Sequence, residues 1–391
     1  MRALFLHMTS RRQARPAMLW SVAVVVLAVT SVAFAPQPTP VVAEKPAQAA
    51  RNVILMIGDG MGPGQVEAGR QAAALAGWKL AMDSMPVRSH VMTTSIGGNI
   101  TDSAAAATAM ATGCKTVNGR LGVDSSGKCL PSIAESVKAA GGLIGLVTNC
   151  SITSATPAAF VVHMLDRDLG RDIARAMVEA KPDVALGGGA AFFVPTISER
   201  ARPALESAAE NGYTIIMDMD ELEAASTLPL LGLFAMTDMP YELDRDPALE
   251  PSLRQMAEKA LLLLAGSSGD AGFFLMVEGG RIDHACHAMD MAGLAAEMAS
   301  FDSAVSAVLE FARSRGDTLV VVTADHETGQ LGVDGDGKLV FGSDGHTSTP
   351  VPLSAEGPGE GWFDVGMLDN TDIARAIARA LHPSQRSAKL Q

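Results

Sequence analysis

Carboxylates and imidazoles stand just past several apolar runs of this chain. Asp59 lies in Gly58-Asp59-Gly60, directly after the run 53–57. Glu278, Asp283 and His287 follow the run 273–277. Asp325 and His326 follow 318–323, and Thr156 comes a little after 143–148. Taken singly, each has an ordinary explanation: an Asp-Gly pair is usually a turn, and an Asp-His pair a solvated loop. Four such clusters behind four buried strands point instead to one rim, because ligands of open α/β sheets bind at the carboxyl ends of the strands. Neighbouring carboxylates there repel one another and call for a cation. Asp283 and His287 are four apart, so one helical turn presents both to the same ion. Adjacent Asp325 and His326 suit an irregular loop. With Asp59 and His346 they make up the mixed oxygen and nitrogen ligation that zinc accepts, while Thr156 and Glu278 are the oxygen donors that magnesium prefers. A pair of zinc ions about 4 Å apart stabilises both the attacking and the leaving oxygen of an in-line displacement.

The nucleophile for such a displacement is sought in Thr101-Asp102-Ser103, which opens an alanine-rich stretch ending at Gly113. Alanine favours helix, Gly113 is a natural stop, and Thr101 or Asp102 can cap the start. Ser103 then lies in the first turn, where free N–H groups and the helix dipole favour anions. The plain alternative is that Ser103 is only a capping residue. A serine hydroxyl needs an activator, and zinc bound to it would lower its pKa. No Gly-x-Ser-x-Gly elbow is present, which argues against a Ser-His-Asp triad of the α/β-hydrolase kind.

The elements that position these residues read as strands at 53–57, 143–148, 184–186, 213–217, 273–277 and 318–323. Helical patterns at 104–112, 132–140, 171–180, 254–265, 292–313 and 372–381 alternate with them. That order predicts an α/β fold, a three-layer sandwich with a mostly parallel central β-sheet flanked by helices. One catalytic domain is expected over 51–391, with 220–253 as a surface excursion.

The chain has 391 residues, 48% of them hydrophobic and only 4% aromatic, so aliphatic side chains fill a large core. Residues 1–50 differ from the rest. Arg2, Arg11, Arg12 and Arg15 precede an apolar run over 17–35, then small residues and prolines up to Ala50. This is the pattern of an export signal, cut near Ala43 or Ala50, for a periplasmic or secreted product. Retained, the same run would anchor the protein in a membrane. Without residues 1–50, 25 basic and 42 acidic side chains remain, a balance of −17 that disfavours nucleic acid as a partner. Export also permits disulfides. Cys114 and Cys129, which bracket a glycine-containing turn sequence, are the first candidates for a pair, with Cys150 and Cys286 left over.

Across 52–381 the chain resembles the alkaline phosphatases. The motifs that carry the resemblance are NVILMIGDGMG (52–62), TDSAAAATAMATG (101–113), ATPAAFVVH (155–163), LLGLFAMTDMPYELDR (230–245), FFLMVEGGRIDHACH (273–287), VVVTADHETG (320–329) and GHTSTPVPLSAEGPG (345–359). The resemblance implies hydrolysis of small phosphate monoesters by two zinc ions and one magnesium ion. It implies that Ser103 is the serine that becomes phosphorylated, with Asp59, Asp325 and His326 on its zinc. Asp283, His287 and His346 would hold the other zinc, and Thr156 and Glu278 the magnesium, which Asp59 bridges. Arg167 matches the arginine that grips phosphate; local sequence alone would pair it with Asp166 or Asp168. Ser154 stands where many members carry Asp or His, and His284 where others carry Lys. A homodimer is common in the family. A phosphodiesterase, a sulfatase-like enzyme or a phosphomutase on the same metal scaffold is the rival enzyme, although no C/S-x-P-x-R motif occupies the nucleophile position. A silent metal- or phosphate-binding protein is the rival of another class.

Overall fold

The computed structural model describes residues 49–195 and 203–382. The leader at 1–50 therefore lies outside the described residues, apart from its last two positions. The described chain forms a ten-stranded sheet with two small two-stranded additions. Its centre is β1 (Asn52–Gly58), β7 (Phe273–Gly279) and β8 (Thr318–Thr323), each buried at every position. Strands covered on both faces need no polar alternation, so they read as continuous apolar runs.

In chain order the remaining strands of the sheet up to that point are β2 (Val87–Met92), β3 (Leu143–Ser151), β4 (Val184–Gly188), β5 (Thr214–Ile216) and β6 (Leu230–Leu233). The strand Val351–Glu356 and then β2 and Met367–Asp369 lie beyond β8, while β7, β3, β4, β6 and β5 extend the other side of β1. Only Val351–Glu356 runs against its neighbours. Two sets of helices cover the sheet. One comprises α1 (Pro63–Leu75), Leu253–Ser267 and Met291–Arg315, and the other α2 (Ser103–Thr112), Ile133–Ala139 and Thr371–Leu381. This is the sandwich read from the sequence.

Two differences stand out. The segment 220–253 is not wholly a surface excursion: Leu230–Leu233 is a buried strand between β4 and β5. Cys114 and Cys129 are both free and exposed. The turn read between them is tighter than the bracket: Val123 bridges to Cys129 across Asp124–Lys128, so Cys129 faces Val123 and not Cys114. Met291–Arg315 is long and apolar enough to cross a bilayer, but Leu294, Met298, Phe301, Val305 and Val308 are buried in the core.

Candidate metal centre and nucleophile

The register of the sheet gathers the acidic residues. Ile57 pairs with Thr323 on one side and Glu278 on the other, and Glu278 pairs in turn with Thr148. Asp59 and Asp325 each stand two residues past such a pair, so they emerge side by side. Gly60 must follow Asp59 as glycine. Its φ is +70°, and a Cβ there would lie 2.9 Å from both Asp283 Oδ1 and Thr328 Oγ1.

Asp59, Asp325 and His326 offer ligand atoms within 4.8 Å of one another. His326 Nε2 is 3.2 Å from Asp325 Oδ2 and 3.4 Å from Asp59 Oδ1, and the imidazole is fully buried. Asp325 Oδ1 accepts the N–H of Gly60 at 3.1 Å and of His326 at 2.8 Å. The facing oxygens, Asp59 Oδ1 and Asp325 Oδ2, are buried without a hydrogen-bond partner. Burial, with the charges of Asp325, Asp283 and Glu278, pushes the Asp59 carboxyl well above its ordinary value. Buried acceptors left unsatisfied among like charges are costly to a protein that binds no cation. Such a donor set fits a divalent metal.

Asp283 and His287 occupy one side of the short helix Arg281–His287, 3.2 Å apart. His346 Nε2 lies 3.1 Å from His287 Nε2 and 3.6 Å from Asp283 Oδ1, and its ring stacks on His326 at 3.6 Å. Each outer ring nitrogen has a carbonyl to donate to: His287 Nδ1 meets Asp344 O at 2.5 Å, and His346 Nδ1 meets Thr101 O at 3.0 Å. Those bonds leave both Nε2 atoms free to aim lone pairs at one ion. Without a metal the hydrogen bond to Asp283 instead pushes His287 up to about 9. Burial opposes ionisation of Asp283, yet the His287 hydrogen bond and the His326 charge hold it below the usual carboxylate range.

Glu278 lies deeper. Burial pushes it up to about 7, against a 2.5 Å hydrogen bond donated by Thr148. The Thr156 hydroxyl faces the same carboxyl but is buried without a hydrogen bond of its own, as a ligand oxygen would be. Ser154 caps the short helix Ala155–Ala158 and makes no side-chain capping bond.

Ser103 is the first residue of α2, and Asp102 caps it by accepting the Ala105 N–H at 2.9 Å. Ser103 Oγ sits 3.3 Å from His326 Nε2. The second oxygen of Asp102 accepts the Gly119 N–H at 2.8 Å and Arg167 Nη1 at 3.2 Å. Arg167 is therefore paired one residue from the serine, rather than with Asp166 or Asp168. Sequence reasoning saw Asp102 only as a cap. It also missed Thr148 and Thr328, whose hydroxyl donates to Asp283 Oδ1 at 2.5 Å, because a lone Thr behind an acidic motif carries no signal. His284 Nδ1 accepts from Arg281 Nη1 at 2.7 Å. Burial pushes the Cys286 thiol up to about 12, which makes it an inert neighbour of His287.

Residues 50–344 match the family described as alkaline phosphatase. The chain is 34% identical to the streptomycin-6-phosphate phosphatase of Streptomyces griseus, over 85% of this chain and 90% of that one. It is also 34% identical to the alkaline phosphatase of Escherichia coli K12, over 85% and 86% of the two chains. Its fold superposes on the alkaline phosphatase of the Antarctic bacterium TAB5 with a TM-score of 0.77 at 32% identity, covering 86% of this chain and 98% of that one. A variant of that enzyme, with a TM-score of 0.76 at 31% identity over 86% and 99% of the two chains, holds bound Mg.

Proposed function

Because the chain belongs to the alkaline phosphatase family, we propose that it hydrolyses phosphate monoesters to an alcohol and inorganic phosphate through a phosphoserine formed on Ser103, with an alkaline pH optimum. Asp59, Asp325, His326 and Ser103 would hold one zinc ion, Asp283, His287 and His346 a second, and Asp59, Thr156 and Glu278 a magnesium ion; when bound, these ions would supply positive charge that lowers the serine pKa and stabilises the attacking and leaving oxygens. The chain's own groups do the rest. Ser103 loses its proton and attacks phosphorus in line, and the N-terminus of α2 favours the negative charge that builds there. Arg167, held by Asp102, presents its planar fork to two non-bridging phosphate oxygens. The alkoxide departs opposite Ser103, on the side of Asp283, His287 and His346. Water entering on that side attacks phosphorus and displaces the Ser103 oxygen; one of its protons restores the serine hydroxyl, and inorganic phosphate leaves.

The observation that carries this reading is Ser103 Oγ at a helix N-terminus, 3.3 Å from His326 Nε2 and beside two convergent ligand clusters. Turnover of p-nitrophenyl phosphate across pH, with and without chelator and alongside metal analysis, tests it. The expected outcome is activity that rises into the alkaline range and disappears with chelator. A maximum below about pH 6 would overturn the reading, since both reacting oxygens must be deprotonated. The Streptomyces griseus relative is named for a single phosphorylated aminoglycoside. Comparing kcat/KM for such a phosphate with that for p-nitrophenyl phosphate separates a dedicated enzyme from a general one. Export through the leader at 1–50 and a homodimeric state belong to the same reading. Sequencing the mature N-terminus and light scattering test them.

A further inference from the structure

Behind the metal centre lies a carboxylate that the chemistry above does not use. Glu327 is 2% exposed and forms no ion pair among the described residues. Its partners are neutral donors. Oε1 accepts the Gln65 Nε2 amide at 3.2 Å and the Leu331 N–H at 3.0 Å. Oε2 accepts the Thr347 hydroxyl. A buried charge without a counter-ion costs several kcal/mol unless its lone pairs are well satisfied. Here those lone pairs join three separate pieces of chain: α1, the start of the loop 329–345, and the strand on which that loop returns.

The position of Glu327 gives this joint a purpose. It follows His326 directly, and in the two-stranded pairing it stands opposite Thr347, with Thr328 opposite His346. The Gly329 N–H donates to Gly345 O at 2.9 Å just beyond, closing the neck of the loop. His346 is carried on that returning strand, with its ring further held by Thr101 O and by the stack on His326. We propose that Glu327 is a positioning residue for the second half of the metal centre: by fastening Thr347 and Leu331 to α1, it sets the reach of His346 and so the affinity of the Asp283, His287 and His346 site. The inference rests on the reading of that trio as a metal site. Asp59 and Asp325, which stand on strand ends, do not depend on this joint.

The test uses the full chain, stripped of metal and titrated with zinc against a competing chelator, with hydrogen exchange followed in the metal-free protein. In Glu327→Ala one class of zinc weakens by about ten- to a hundredfold, the usual cost of losing a group that orients a ligand. The other class is unchanged, and exchange rises at Leu331 and over 346–347. Thr347→Val, which folds with the carboxylate still in place, moves both readouts the same way by less. Glu327→Gln restores most of the loss, because its amide oxygen still accepts both N–H groups and its NH2 can meet Thr347. Both zinc classes weakening together, neither changing, or Gln behaving as badly as Ala would each overturn the proposal. A wild-type chain that binds zinc nowhere overturns the metal reading itself. Weakening of zinc with unaltered exchange in the loop overturns only the role of Glu327.

Discussion

Asp59 and Asp325 stand at the ends of two neighbouring parallel strands, whereas His287 and His346 come from a short helix and the return limb of a loop. Two of the imidazoles mark the contrast. The His326 side chain is 0% exposed, and the His287 side chain is 41% exposed. The buried half holds the serine and the unsatisfied carboxylate oxygens. The rim half opens to solvent chiefly through His287, with Asp283 beside it 8% exposed; in the proposed reaction the alcohol leaves and the water enters there. A nucleophile gains from a rigid, dry setting because the electrostatic interactions that activate it are stronger there. A site that exchanges its occupant in every cycle gains from access. The two halves share a wall, the stacked rings of His326 and His346, yet the fold makes them by different means.

The comparison can be broken in several ways. The largest effect is expected from Ser103→Ala, which should reduce kcat by a thousandfold or more, roughly the scale seen when a nucleophile is deleted. Retained turnover would remove the buried half from the chemistry. Next comes His287→Ala, expected to cost about a hundredfold in kcat/KM, with most of the loss recovered at high zinc. Equally fast recovery in an equivalent Asp325→Ala chain would erase the distinction between the halves, since zinc should refill a buried position more slowly than an open one. A smaller difference should appear in time. Chelator added to the loaded enzyme should remove zinc in two phases, the first from the rim, as read by a coloured zinc indicator. A single phase would mean that exposure does not govern release.

The smallest effect concerns the metal-free chain and its response to pH. Asp59 has its folded pKa raised by burial and by Asp325, Asp283 and Glu278. A carboxyl raised in this way contributes stability below its unfolded value and loses it as pH climbs through the folded value. Metal-free protein should therefore lose stability as pH rises from about 4 toward neutrality. Asp59→Asn should flatten that slope and raise the metal-free melting temperature at pH 7, by an amount equivalent to about 1–3 kcal/mol. The same substitution should lower the melting temperature of the zinc-loaded protein. Calorimetry with and without zinc reads both signs, and equal signs would show that repulsion is not what the cation relieves.

Much of this was legible in the sequence because burial leaves a simple trace. Residues 319–322 are an unbroken apolar run flanked by Thr318 and Thr323, and 318–323 form β8 with the bounds read from the sequence. Val87–Met92 was missed because it alternates, with Arg88, His90 and Met92 exposed, and so reads as a polar segment. Val351–Glu356 carries Pro352, which argues against a strand until its antiparallel place beside β8 is known. Of the candidate ligands, Asp59, Asp325 and His326 were visible because they stand just past strands. The groups that hold them were not, because their partners are distant in sequence. Asp102 meets Arg167 and Glu327 meets Gln65 only after folding. The pairing of Cys114 with Cys129 failed for a related reason: spacing located the turn but not which residue lies across it.

The neck formed by Gly329, Gly345 and the Glu327–Thr347 contact has a further use. Its tip, the exposed turn Asp334–Lys338, is closed by its own hydrogen bonds and joined to the rest by the two limbs that meet at that neck. A peptide spliced in at Asp336 would hang outside the fold with both of its attachment points already fastened together. The enzyme thus offers a handle on which an affinity tag, a fluorophore or a whole reporter domain can be carried close to the reaction, without any of the residues named above having to move.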